Sequence, residues 1–345
     1  MNKLIRKSVQ DLHAYTPGEQ PNVKGLIKLN TNENPYPPSP AVKRVLREYS
    51  AESLRLYPDP VCTALRERLA EIHGCMPEQL FVGNGSDEVL RLITRACTQQ
   101  GGAVGAFSPT YSLYPVLAEA EEVDFRPVEL APAFQWREPP ENMEATLFFL
   151  ANPNAPTGVA YAPALVEAFC RRFSGVVVLD EAYADFADGV NGVALAKTQP
   201  NVVVCRTLSK SFSLAGLRIG YAIGACDVVA ALYKLKDSYN VNRLSQAVAL
   251  AALEDLAWMQ ANVRKIVATR ERVAAALVER GWEVIASSAN FLLSAPPEGS
   301  RAEDVFLHLR HRHVLVRYFP GGRTGRYLRI SIGTDAEMDA FLAVL

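Results

Sequence analysis

The stretch Cys205–Gly224, CRTLSKSFSLAGLRIGYAIG, holds a lysine, Lys210, where a buried strand gives way to a loop. The run before it, NVVVC (201–205), is apolar and β-branched, as an interior strand of a parallel sheet is. Lysine is almost never fully buried without a partner. Hydroxyls crowd this one, at Thr207, Ser209, Ser211 and Ser213, and Arg218 follows eight positions on. Hydroxyls with an arginine suggest a bound anion. A lysine at a strand's end suggests covalent chemistry.

Outward from this stretch the chain alternates short apolar runs with helical or turn segments. The runs are QLFVGNGS (79–86), GAVGAFS (102–108), EVDFRPVEL (122–130), ATLFFLAN (145–152), GVVVLDEAY (175–183), NVVVCRTLS (201–209) and RIGYAIG (218–224). They predict an α/β domain around a mostly parallel seven-stranded sheet. Helical patterns precede it at AVKRVLREYS (41–50) and at VCTALRERLAEIHG (61–74), the second closed by Gly74. From Ser245 to Arg280 there is neither Gly nor Pro, which predicts a long helix, with room for a bend, linking two domains. Beyond it, strand and helix alternate in a smaller α+β domain. The expected organisation is an N-terminal arm over 1–40, rich in Pro and Asn, a large domain over 41–240 and a small one over 241–345.

Composition narrows the function classes. The chain has 345 residues, 49% hydrophobic and 21% charged, enough for a large core. With 36 basic against 37 acidic residues there is no electrostatic case for nucleic acid. The N-terminus lacks a signal-peptide core, and no apolar run approaches the roughly 20 residues a membrane helix needs. The six cysteines form no C-x-x-C pair and are expected to be reduced thiols of a cytoplasmic protein. His308, His311 and His313 read as the cationic end of a helix rather than as a metal site.

In open parallel sheets the strand C-termini carry the site. Five successive strand ends here are polar, glycine-bearing or aromatic: 83–87, 108–111, 152–158, 180–183 and 207–210. Gly85 and Ser86 enter a helix whose first turn holds Asp87 and Glu88, with Ser86 expected as N-cap. That is either a capped helix or an anion cradle completed by Thr207, Ser209 and Arg218. Asp180 ends VVVLD, so its carboxylate is expected to be deep, and no Lys or Arg follows in EAYADF. It either caps a turn or meets a cofactor's cationic nitrogen. Tyr183 is within reach of a phenolic oxygen on the same ring, and Tyr111 offers a stacking face. Lysine forms a Schiff base when desolvation releases its free amine. Phosphate, pyridinium, phenolate and aldehyde together describe pyridoxal 5′-phosphate.

The ordered motifs are YTPG (15–18), KLNTNENPYPP (28–38), RLYPDP (55–60), VGNGSDE (82–88), FSPTYSLY (107–114), NPNAPTG (152–158), VVVLDEAYADF (176–186), RTLSKSFSLAGLRIGY (206–221), YNVNRLSQAVALAAL (239–253) and YLRISIGT (327–334). With them the chain resembles, over essentially its whole length, the fold-type I pyridoxal-phosphate-dependent aminotransferases, in the branch of histidinol-phosphate aminotransferase. The lysine and aspartate motifs mark the superfamily; YTPG, NENPYPP and YNVN point to the branch.

The resemblance implies roles. Lys210 would bond the cofactor's aldehyde carbon, Asp180 its ring nitrogen and Tyr183 its ring oxygen, with Tyr111 stacked on the ring. Gly85, Ser86, Asp87, Thr207, Ser209 and Arg218 would hold the phosphate, joined by Tyr57 from the other subunit of a homodimer with shared sites. Arg329 would meet the substrate's acidic group, with Tyr15, Asn32 and Arg317 around it. Arg317 read alone is equally a surface strand residue. The implied reaction is transamination of L-histidinol phosphate with 2-oxoglutarate, in histidine biosynthesis. Threonine-phosphate decarboxylase shares the fold and motif order, and an aromatic amino acid aminotransferase is a third reading. A cofactor-sensing regulator would carry a DNA-binding module, which is not expected in a chain that begins at the arm motif. One position departs from the family: where it reads Asn-Asn before Pro-Thr-Gly, this chain has Asn154 and Ala155. The second Asn bonds the ring oxygen, so Asn154, a water or Tyr183 alone is expected to fill the gap.

Overall fold

The seven apolar runs between residues 79 and 224 become the seven strands of one sheet, as their composition predicts. In the computed structural model, which describes residues 4–345, they are β2 (Leu80–Asn84), β3 (Ala103–Ser108), β4 (Asp124–Glu129), β5 (Leu147–Ala151), β6 (Val176–Asp180), β7 (Val202–Thr207) and β8 (Ile219–Ile223). They follow β1 (Ile27–Lys28), in the arm. The sheet order is β2-β8-β7-β6-β5-β3-β4, and only β8 runs against its neighbours.

Successive residues of the inner strands point into two different cores. Leu147, Phe149 and Val178 pack on one face, and Phe148, Leu150, Val177 and Leu179 on the other. Burial on both faces is why these strands read as unbroken apolar runs rather than as alternating ones. The reversed direction of β8 places its first residues where its neighbours end: Ile219 lies opposite Asn84 and Gly220 opposite Thr207. Arg218 is thereby delivered to the edge that carries the other strand ends.

A second sheet of β9 (Glu283–Ile285), β10 (Phe291–Ala295), β12 (Arg317–Tyr318) and β13 (Leu328–Ser331) is antiparallel, in the order β12-β13-β10-β9. The remaining strand, β11 (Val314–Leu315), pairs in parallel with β1 of the arm, and Leu29 enters the core beneath the second sheet.

The gap-free run 245–280 is two helices, Arg243–Leu253 and Leu256–Glu279. Asp255 leaves helical geometry (φ −118°, ψ 58°) and its carboxylate accepts the Trp258 N–H at 3.3 Å. An N-cap restarts a helix without Gly or Pro, which is why composition did not show the break. The first helix buries Val248, Ala249 and Ala252 in a core of the large sheet, while the second buries Val263, Ile266 and Val273 under the small one. We propose that the boundary between the two domains falls at Glu254–Asp255, not at 240.

The helix Ser86–Cys97 starts one residue earlier than read: Gly85 is its N-cap, with φ +85°, and Ser86 is its first helical residue. A non-glycine residue at that φ is strained. Gly220 sits under the same turn, where an added Cβ would lie 2.2 Å from the Ser86 nitrogen and 2.5 Å from the Gly85 carbonyl carbon. Both clashes are with backbone, so the turn must move. Gly220→Ala is therefore expected to destabilise the fold by about 1–3 kcal/mol in urea unfolding.

Candidate active site

The strand ends open onto a cleft of about 410 Å³. Ser86, Asp87, Tyr111, Ala155, Asp180, Tyr183, Thr207, Ser209, Lys210 and Arg218 line it from the large domain. Tyr15 and Asn32 line it from the arm, and Arg317 and Arg329 from the small sheet. Three predicted residues are not part of this lining: Gly85, which is the N-cap just before Ser86, and Asn154 and Tyr57. Asn154 is buried behind the wall, and its carboxamide is committed to the turn: it accepts from Thr110 Oγ1 (2.9 Å) and donates to Pro109 O (3.0 Å) and Thr157 Oγ1 (2.9 Å). It has no group left for a ring oxygen. Tyr57 is 76% exposed and stacks on Tyr239 at 4.4 Å, outside the cleft lining of its own chain.

Asp180 is buried at the end of β6. Its hydrogen bonds among the described residues come from the Tyr114 hydroxyl (2.7 Å) and the Ala182 N–H (3.2 Å). Burial pushes its carboxyl up to about 6, although both donors favour the charged form. Tyr114 is fully buried and stacked on Phe149 at 4.5 Å. Sequence reasoning missed it because an aromatic in the apolar helix Leu113–Ala120 reads as core. The available signal was its hydroxyl, which a buried tyrosine must satisfy.

At the opposite end of the donor set, Thr207 Oγ1 bonds Ser209 Oγ (2.9 Å) and Ile219 O (3.1 Å) and accepts the Ser209 N–H (3.1 Å). Arg218 Nη2 donates to Asp87 Oδ2 (3.0 Å), and the Tyr111 hydroxyl donates to Asp87 Oδ1 (3.1 Å). Burial and the Asp87 charge hold the Tyr111 hydroxyl in its protonated form, well above the usual range.

Lys210 Nζ donates to Thr31 O (3.3 Å) and lies 5.7 Å from the centre of the Tyr183 ring. Its loop is held by Asn34 of the arm, whose amide donates to Lys210 O (3.0 Å) and Ser211 O (3.1 Å). Asn34 also lay outside the sequence reading; its place two residues after Asn32 in one motif was the only hint. Asn32 turns its amide to the Tyr183 hydroxyl (3.0 Å), rather than to the arginines.

Arg329 Nη2 donates to Asn30 O (2.9 Å), while its buried Nε has no partner among the described residues. Arg317 donates to Thr16 O (2.9 Å) and Pro17 O (3.2 Å). Both guanidinium carbons lie 5.4 Å from the centre of the Phe319 ring.

These residues fit pyridoxal 5′-phosphate. A buried carboxylate without a cation is matched to a ring N–H, an amine stands at the cleft, and helix N–H groups, hydroxyls and a guanidinium together suit an anion. Among the described residues no group of three His, Cys, Asp or Glu is placed to hold a metal ion, and no helix is long and apolar enough to cross a membrane.

The family model for aminotransferase class I and II matches residues 24–345, and the chain belongs to that family. The histidinol-phosphate aminotransferase of Citrifermentans bemidjiense is 43% identical over 344 residues, 99% of this chain and 97% of the relative. That of Chromohalobacter salexigens is 44% identical over 351 residues, 100% and 99% of the two chains. The crystal structure of histidinol-phosphate aminotransferase from Sinorhizobium meliloti, in complex with pyridoxal-5′-phosphate, superposes with a TM-score of 0.89 at 26% identity, over 99% of this chain and 96% of that one. The L-threonine-O-3-phosphate decarboxylase of Porphyromonas gingivalis shares the fold, with a TM-score of 0.82 at 22% identity over 92% and 97%. The cofactor of this chain is pyridoxal 5′-phosphate.

The raised Asp180 carboxyl has a consequence for stability. The folded group holds its proton more tightly than the unfolded one, so the cofactor-free fold loses stability as pH rises from about 4 to about 6. Asp180→Asn removes that loss. The cofactor-free variant is expected to exceed its parent by on the order of 2–3 kcal/mol at pH 7.5, the gap shrinking as pH falls below 6. Urea unfolding at several pH values checks this; a gap independent of pH refutes it.

Proposed function

We propose that this protein transfers the amino group of L-histidinol phosphate to 2-oxoglutarate, a step of histidine biosynthesis, as a cytoplasmic homodimer. The observation that carries the substrate is the pair Arg317 and Arg329 around Phe319, with the Arg329 Nε buried and unpaired among the described residues. Two guanidiniums in a partly desolvated pocket favour a phosphate dianion. The named relatives at 43% and 44% identity support the same substrate.

When bound, the cofactor supplies the electron sink that lets the donor's Cα–H bond break without its electron pair leaving the molecule. Asp180, oriented by Tyr114, would hold the ring N–H. The turn at Gly85–Ser86, with Thr207, Ser209 and Arg218, would bind the phosphate. Tyr111 would cover one face of the ring, and Tyr183 would donate to its oxygen. Lys210 Nζ takes the proton from the donor Cα and holds it for return, with Thr31 O keeping the amine at the cleft. Arg329 binds the acidic end of either substrate, and Arg317 and Tyr15 add contacts to the donor's phosphate. Tyr57, exposed on its own chain, reaches the phosphate cradle of a second copy.

A coupled assay with histidinol phosphate, phenylalanine and threonine phosphate tests the substrate; preference for either of the last two overturns it. Borohydride should fix the cofactor on Lys210, and a peptide map placing it on another lysine would reject the site. Arg317→Ala should lower kcat/KM for histidinol phosphate on the order of 10- to 100-fold and spare unphosphorylated histidinol. Equal loss for both donors would mean Arg317 does not read phosphate. Mixing Tyr57→Phe with Lys210→Ala subunits should restore activity, because each heterodimer then holds one site without a lesion. Silence after demonstrated subunit exchange would reject the shared site.

A further inference from the structure

Ala155 puts a methyl group where a donor to the cofactor's ring oxygen is expected, and Asn154 is committed elsewhere. Tyr183 is then the remaining donor, and a lone hydroxyl rotates. Asn32 prevents this. Its Nδ2 donates to the Tyr183 oxygen at 3.0 Å, so the phenolic hydrogen must point away from Asn32 and towards another acceptor.

The carboxamide itself is fixed on every side. Asn32 is 1% exposed and holds φ +56°. Its Oδ1 accepts from Ser331 Oγ (2.9 Å), its N–H donates to the same oxygen (2.8 Å), and its carbonyl accepts from buried Asn290 (3.0 Å). With the Ser331 proton given to Oδ1, the NH₂ end is the one that faces Tyr183. A hydroxyl that accepts one hydrogen bond is also a stronger donor in the next.

We infer that Asn32 is a positioning residue: the relay Ser331–Asn32–Tyr183 aims and strengthens the single hydroxyl that serves the ring oxygen in place of the missing second donor. This rests on the proposed assignment of Tyr183 to that oxygen. Ser331 lies two residues after Arg329 on β13, so the relay also joins the strand of the substrate arginine to the electronics of the cofactor.

The test is the pH midpoint of the bound cofactor's visible band. The proton-free form carries more charge on the ring oxygen, so each donor to that oxygen lowers the midpoint. Asn32→Gly keeps the positive φ and removes the carboxamide; it should raise the midpoint by roughly 0.5–1 pH unit. In a Tyr183→Phe background the same change should do nothing further, because Asn32 acts through Tyr183. Ala155→Asn should bring the Asn32→Gly midpoint back down by supplying a direct donor. If Asn32→Gly folds poorly, Ser331→Ala, which frees the carboxamide to turn, should move the midpoint in the same direction.

An unmoved midpoint in Asn32→Gly or, should that variant not fold, in Ser331→Ala, overturns the inference. So does a shift of equal size with and without Tyr183. A Tyr183→Phe variant whose own midpoint matches the parent strikes instead at the assignment of Tyr183, and the inference falls with it.

Discussion

A carboxylate taken out of water without a cation is the constraint around which this molecule is arranged. Asp180 ends a strand buried on both faces, and Tyr114 and Ala182 offset only part of its desolvation. A cationic ring nitrogen is the partner that such a carboxylate suits. The site's geometry then follows from where the sheet can place other groups at the same edge. Parallel neighbours supply the loops after β2, β3, β5 and β7, and the reversed β8 supplies Arg218. One antiparallel strand among six aligned ones is thus what puts a guanidinium where only strand ends would otherwise be.

Much of this was legible in the chain itself. Strands buried on both faces read as unbroken apolar runs, and all seven runs became strands of the large sheet. The cofactor followed from residue types at strand ends, because anion, cation and amine chemistry each demand particular side chains. What stayed hidden depends on which atoms meet across the fold. Tyr114 looks like any core aromatic until its hydroxyl is placed against Asp180. Asn34 and Asn32 share one short motif, yet one clamps the lysine loop while the other faces Tyr183. Of the three alternatives for the ring oxygen, Asn154 could not be weighed from sequence because its carboxamide closes its own turn, a local bond that competes with any ligand. The helix break at Asp255 was masked because capping residues also occur inside helices.

The second sheet and the arm pack together against the strand ends. Leu29 lies in the small-domain core, and Asn30, Asn32 and Asn34 reach Arg329, Tyr183 and Lys210 in turn. A segment of five residues therefore touches Arg329, Tyr183 and Lys210. Displacement of either the arm or the small sheet disturbs all three together.

That stitching has a consequence for how the molecule comes into being. Asn32 and Ser331 are 299 positions apart, and β1 pairs with β11. As the chain leaves the ribosome, the arm can meet the loops of the large sheet at Tyr183 and Lys210 long before Ser331 and β11 exist. Contacts so distant in sequence form late, after a large entropy of loop closure has been met. The arm's pairing with β11 and its bonds to Ser331 are therefore completed only after the strands of the small sheet have emerged.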